Sequence, residues 1–344
     1  MTPKEILLET LKRDGKPERL LCQYEAFVPV MNDPLQKYTR GNRKRGVTSY
    51  DKWGTEILFP EDAPGPMPHV TNSNKVCPDI TCWQDTVKVP DLVANCSDGW
   101  EEAIATAAAI DHDQYLTMGF MGTGIFEQCH YLMGFEDTLV NLLLEPDDMH
   151  DLVDAIAEYR FQYAKLLVDN LKPDVILSHD DWGSKTSLFM KPDIWRDYFK
   201  DHYKRIYGYM KDHGVIVMHH ADSFCEPIVE DMVEIGIDIW QGVLPENDIP
   251  KIQKLLDGRM ALMGGLDASV VDRVDSTEEE IRADVRRACE TYAPGGHFIP
   301  CITYGLKGTI FPHVDPIIDD EIQRYNREHF LYLIFNARAL LARA

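Results

Sequence analysis

Several things are scarce in this chain, and each scarcity removes a class of function. Basic residues are outnumbered, with 35 Lys and Arg against 57 Asp and Glu and a formal net charge of −22. Affinity for a nucleic-acid backbone or an anionic membrane comes from cations that neutralise phosphates, so neither partner is expected. No apolar run approaches the roughly 18 residues that a membrane span needs. The N-terminus MTPKEILLETLKRDG lacks the apolar core of a secretory signal. Paired cysteines are missing too: the 8 cysteines are scattered, and Cys77 and Cys82 in CPDITC have neither a zinc-knuckle spacing nor a second pair. A reducing cytoplasm is the expected location. Gly122 and Gly124 in MGTGIFE lack the third glycine of a dinucleotide fingerprint. Beyond strand and helix alternation there is no internal repeat, and no low-complexity tract.

What is present is the composition of a soluble enzyme, with 44% hydrophobic and 27% charged residues over 344 positions. VIVMHHADSF (215 to 224) sets the pattern: a short apolar, mostly β-branched run that stops abruptly at His219, His220, Asp222 and Ser223. A continuous apolar run is what a strand covered on both faces looks like, and ligand sites of parallel sheets lie beyond the carboxyl ends of such strands. From residue 98 onward, strands at 115 to 122, 174 to 183, 215 to 222, 238 to 243, 260 to 267 and 297 to 305 alternate with helices, the last from about 319 to 344. This predicts a single-domain (β/α)8 TIM barrel over residues 1 to 344, with a first strand in RLLCQYEAF (19 to 27). Residues 28 to 98, rich in Pro, Gly and Asn, read as an elaborated loop and hairpin region over one end of the barrel.

The strand ends present Glu25, the run His179-Asp180-Asp181-Trp182, the run His219-His220-Ala221-Asp222, Gln241, Asp267 and Cys301. In a barrel these converge on one mouth. Residues two apart in a strand share a face, so His220 and Asp222 can act together while His219 faces away, and Cys301 is a candidate third metal ligand. The same cluster also reads as a hydrogen-bonded polar layer without metal. Asp180 and Asp181 also suit a helix cap, and Cys301 a small core residue.

The chain resembles the uroporphyrinogen decarboxylase-like superfamily over nearly its full length. The resemblance rests on YDKWGTE (50 to 56), LMGFEDTLVNLLLEP (132 to 146), SHDDWGSKTSLFMKPDIWRDYF (178 to 199), VIVMHHADSFCEPIVEDMVEIGIDI (215 to 239) and MALMGGLD (260 to 267). Within it the chain is most similar to the cobalamin-dependent methyltransferases, because the first-strand region LLCQYEAFVPV (20 to 30) has none of the arginine that decarboxylases use to grip carboxylates. The resemblance implies zinc on a His-x-Cys pair and a distant Cys. Aligned on Pro227 and Ile228, these fall on His220, Asp222 in place of the first cysteine, and Cys301, with His219 and Asp181 as alternative ligands.

A site with fewer thiolates leaves zinc a stronger Lewis acid, suited to polarising an oxygen. The function so implied resembles that of the O-demethylase components of anaerobic bacteria, with a methyl group moving from a phenyl methyl ether to the Co(I) corrinoid of a separate protein. Asp181, Glu25 and Tyr24 are then expected to position the substrate, with Phe126, Trp182, Trp240 and Gln241 as its contacts. Transfer from methyl-corrinoid to a thiol or tetrahydrofolate, a decarboxylase-like protein, and a noncatalytic ligand-binding barrel are the alternatives. The sequence leaves the oligomeric state open, a homodimer included.

Overall fold

Strands that are covered on both faces read as short, mostly apolar runs, and here such runs form the buried strands. In the computed structural model, which describes residues 1 to 40, 44 to 63 and 65 to 331, the strands are β1 (Phe27–Pro29), β2 (Thr48–Tyr50), β3 (Glu56–Leu58), β4 (Met67–Pro68), β5 (Leu116–Met121), β6 (Val175–His179), β7 (Ile216–His220), β8 (Ile239–Val243), β9 (Ala261–Gly265) and β10 (Phe298–Cys301). Every residue of β5, β8, β9 and β10 is buried. Side chains on one face fill the interior of a curled parallel sheet and those on the other meet the surrounding helices.

The described strands form a seven-stranded parallel sheet in the order β1-β5-β6-β7-β8-β9-β10, where the alternation predicted eight strands. Sequential neighbours pair throughout, as right-handed βα units require. No ladder joins β10 to β1. Gln23 bridges the seam instead: its N–H donates to Pro300 O at 3.3 Å, and its Oε1 accepts from the Ile302 N–H at 3.1 Å. The expected strand at 19 to 27 therefore shrinks to three residues beginning at Phe27, and Gln23, Tyr24 and Glu25 lie in the turn before it.

The helices follow the sequence signals closely. Pro146–Leu171 starts with Pro in its first turn and ends on Lys172 in the left-handed region. The helix between β6 and β7 is continuous from Pro192 to Asp212, with a π turn at Arg196–Lys200. The closing helix runs Val314–Asn326 and on through a π turn to Leu331; its expected remainder, 332 to 344, lies outside the described residues. Within the elaborated region, β2, β3 and β4 make a three-stranded antiparallel sheet. No described helix is long and apolar enough to cross a membrane.

Candidate metal-capable active site

At the carboxyl ends of the central strands lies a cavity of about 430 Å³. Parallel register builds its floor. His179 and His220 are the last residues of β6 and β7 and stand directly opposite each other in the ladder. Same-face neighbours on adjacent strands are close enough to touch, and the two imidazoles stack with centroids 4.3 Å apart. The chain passes tightly over their edges at Gly305, where an added Cβ would lie 3.2 Å from Cδ2 of both rings.

Each imidazole is oriented from behind. Gln241 Nε2 donates to the carbonyls of Ile302 and Tyr304, which turns its Oε1 toward His220 Nδ1 at 2.5 Å. Glu127 Oε2 accepts from the Gly124 N–H at 3.0 Å and lies 2.8 Å from His179 Nδ1. Acceptors on both Nδ1 atoms fix a proton there, the arrangement that holds metal-binding histidines; His220 keeps a free Nε2 lone pair, whereas His179, charged in its pair with Glu127, would offer one only when a bound cation displaces its second proton. Asp180 secures Glu127 in turn: buried, it accepts from the amides of Phe126 and Glu127 at the start of helix Ile125–Met133, and from Tyr203 and Trp182. Gly124 is needed here, since a Cβ would fall 1.9 Å from the Asp180 carboxyl carbon.

Asp181 completes the group. Its Oδ1 accepts from the Asp222 N–H at 3.0 Å and lies 3.8 Å from His220 Nε2. Ligand atoms of His179, Asp181 and His220 all lie within 4.8 Å of one another, so these three could hold a metal ion with a coordination position left open. Asp222 lines the same cavity. Burial dominates the electrostatics. It pushes His220 down to about 3, with the neighbouring His179 charge adding to the effect. Burial would lower His179 too, but Glu127 overrides it and holds the imidazole at about 9. Burial would raise Glu127, and His179 reverses this to about 2, so the two form an ion pair. Burial lifts Asp222 to about 6 and, reinforced by Asp222, lifts Asp181 well above the usual carboxylate range. Two acidic groups crowded beside two imidazoles are a site in which a cation relieves the repulsion.

The other expected residues are placed elsewhere. Cys301 is buried with its Sγ 3.9 Å from Gln23 Oε1, and burial pushes its thiol pKa well up; it is not in the metal-capable group. Glu25 pairs with Arg19 and accepts from the Cys22 N–H, beside Asn326 and outside the cavity. Tyr24 is buried and donates to Tyr304 O at 2.9 Å. His219 faces away from His220, stacked on Trp182 at 4.0 Å and bonded to Tyr207. Phe126, Trp182 and Trp240 are buried in the core and do not line the cavity; the rings that do include Phe120, Tyr131 and Tyr304. Gln241 orients His220 instead of lining the cavity. Sequence reading passed over His179 as a ligand and missed Glu127 altogether. A glutamate among Ile125, Phe126, Cys129, Leu132 and Met133, all buried, was the available signal.

A parallel α/β sheet carrying a His-Asp-His cluster at its carboxyl ends defines a class of barrel-like proteins with an open metal-capable mouth. Within that class the chain belongs to the uroporphyrinogen decarboxylase (URO-D) family, whose signature matches residues 50–313. Among solved structures, a methyltransferase from Methanosarcina mazei shares 16% identity and covers 96% of this chain and 99% of its own, with a TM-score of 0.63. This is a likeness of fold. A dihydropteroate synthase from Anaplasma phagocytophilum is far looser, at 15% identity, 50% and 67% coverage and a TM-score of 0.36. No curated protein matches the chain.

Proposed function

We propose that this chain is a methyltransferase that moves a methyl group from an O-methyl substrate, a phenyl methyl ether, to the Co(I) corrinoid of a partner protein. The observation that carries this reading is the donor set: two imidazoles and a carboxylate gathered at the mouth, with Cys301 turned to Gln23 and away from them. Nitrogen and oxygen donors suit zinc, and without thiolates the ion keeps its Lewis acidity. The preset Nδ1 acceptors on both histidines fit such an ion. Bound there, zinc would polarise the ether oxygen, while the partner's corrinoid would supply the nucleophile for the methyl carbon.

The chain's own residues do the rest. His179 and His220 hold the cluster in place through Glu127 and Gln241. Asp222, whose carboxyl burial raises to about 6, can hold or release a proton beside the leaving oxygen. The aromatic walls take the ring, and residues 65 to 68 and 305 to 310, which rim the cavity, face the approaching partner.

Metal analysis and a transfer assay test this together. Purified protein is expected to carry about one zinc per chain and to demethylate an aryl methyl ether only when a reduced corrinoid protein is supplied. Methyl leaving methyl-corrinoid for a thiol, with no ether cleaved, would overturn the direction proposed.

A further inference from the structure

Arg160, on helix Pro146–Leu171, is buried where that helix packs on β5. Arg196, Arg259, Arg282, Arg286 and Arg287 each pair with a carboxylate. Arg160 has no such partner among the described residues. Its Nη1 donates to the carbonyls of Gly122, at 3.1 Å, and Thr123, its Nη2 donates to Ser178 Oγ at 2.9 Å, and its Nε finds no acceptor. A buried cation without an ion partner is a poor source of stability, and an apolar side chain of similar volume would serve the packing better. The value of Arg160 lies in what its guanidinium holds.

One thing it holds is the turn between β5 and helix Ile125–Met133. Thr123 lies there in the left-handed region, with φ at 54°, a conformation that glycine adopts freely and a β-branched residue resists. The conformation is therefore imposed from outside, and the clamp on the carbonyls of Gly122 and Thr123 is the contact that imposes it. Its product is the next amide: the Gly124 N–H donates to Glu127 Oε2 at 3.0 Å. The other end of the clamp is Ser178, the residue before His179 on β6, whose Oγ also accepts from Tyr207 at 2.9 Å. One guanidinium thus ties the turn that steadies Glu127 to the strand end that carries His179, and those two residues meet at 2.8 Å.

We propose that Arg160 is a positioning residue of the metal-capable group: it clamps the 122–124 turn to β6, fixes the Glu127 carboxylate against His179, and so aims that imidazole at the ion. The inference rests on the reading that the cluster holds a metal ion. A guanidinium suits the task because its rigid fork reaches two carbonyls and a hydroxyl at set angles, whereas a lysine ammonium is a compact point charge. His220 is held separately, by Gln241, whose own donors go to the carbonyls of Ile302 and Tyr304. Arg160 therefore acts on one of the two imidazoles and leaves the other alone, which a general packing role would not do.

Nuclear magnetic resonance of the imidazole nitrogens in the metal-free full chain, labelled with nitrogen-15 histidine, tests the clamp without any reaction. His179→Gln and His220→Gln assign the two signals. In Arg160→Gln the hydrogen-bonded Nδ1 proton of His179 is expected to broaden or shift toward the solvent-exchanging position while that of His220 stays. Co(II) titration of the same variant should show at least about tenfold weaker binding and altered visible absorption bands. Ser178→Ala, which removes one anchor, should move the His179 signal the same way by less. Adding Thr123→Gly to Arg160→Gln should restore part of that signal, because glycine takes the left-handed turn unaided; lost packing could not be repaired there. An unchanged His179 signal in folded Arg160→Gln, or equal disturbance of both imidazoles, would sink the proposal. Where Arg160→Gln does not fold, Ser178→Ala decides, and an unmoved His179 signal there overturns it. A wild-type protein that takes up no Co(II), with His179 alone disturbed in Arg160→Gln, would leave the clamp standing and remove the metal reading.

Discussion

The two sides of the sheet's mouth are built differently, and the metal-capable group lies on only one of them. On the β5-β6-β7 side a continuous ladder sets His179 opposite His220, and the helix after β5 delivers Glu127 from behind. On the β10-β1 side no ladder exists, and Gln23 fills the gap with its backbone and its side chain. The same glutamine amide donates to Asp315 and Asp319, so Cys301 faces a structural bridge. Ladder register places side chains to within a fraction of an ångström, whereas a seam needs polar atoms simply to close it. Cys301 is itself held in the ladder to β9, opposite Gly265, but its thiol faces the seam and not the metal-capable group.

Substitutions on the two sides should diverge in kind. The largest effect is expected from His220→Ala, which removes a donor and leaves Gln241 facing nothing: metal content should drop below stoichiometry and methyl transfer should fall by more than about 100-fold. Elemental analysis with a melting curve separates this from unfolding. Glu127→Gln comes next. It keeps the shape but weakens the orientation of His179, so metal affinity should fall by about 10- to 100-fold in a competition titration against a chelator. Retention of full affinity would show that His179 is not a ligand.

On the seam the losses should appear as stability. Gln23→Ala leaves the buried Ile302 amide unmatched, and denaturant unfolding should record a loss of about 1–3 kcal/mol with metal content intact. Cys301→Ser is expected to do least: at most about 1 kcal/mol, with no change in bound metal. Metal lost from Cys301→Ser would erase the distinction between the two sides.

Much of this architecture was written locally. Apolar runs of five or six residues between helix signals identified the strands, and VIVMHHADSF pointed to His220 and Asp222, which both line the cavity. Period two also separated His220 from His219, whose ring lies in the core against Trp182. The aromatic residues were harder: Phe126, Trp182 and Trp240 stand next to polar strand ends in sequence, yet their size sends them into the core. Glu25 was adjacent in sequence to a strand start, and its partner Arg19 holds it outside the mouth.

The sequence by itself determined the periodicities, and with them the parallel α/β class, the helices and the polar strand ends. Tertiary structure alone decided which of those ends meet. His179 gains its place from its register against His220, and Glu127 from the helix that follows β5 and reaches His179 from behind. Periodicity reports which face a residue takes along its own strand. Meeting another strand's residue depends on register and closure, and those are set by long-range pairing that no local pattern encodes.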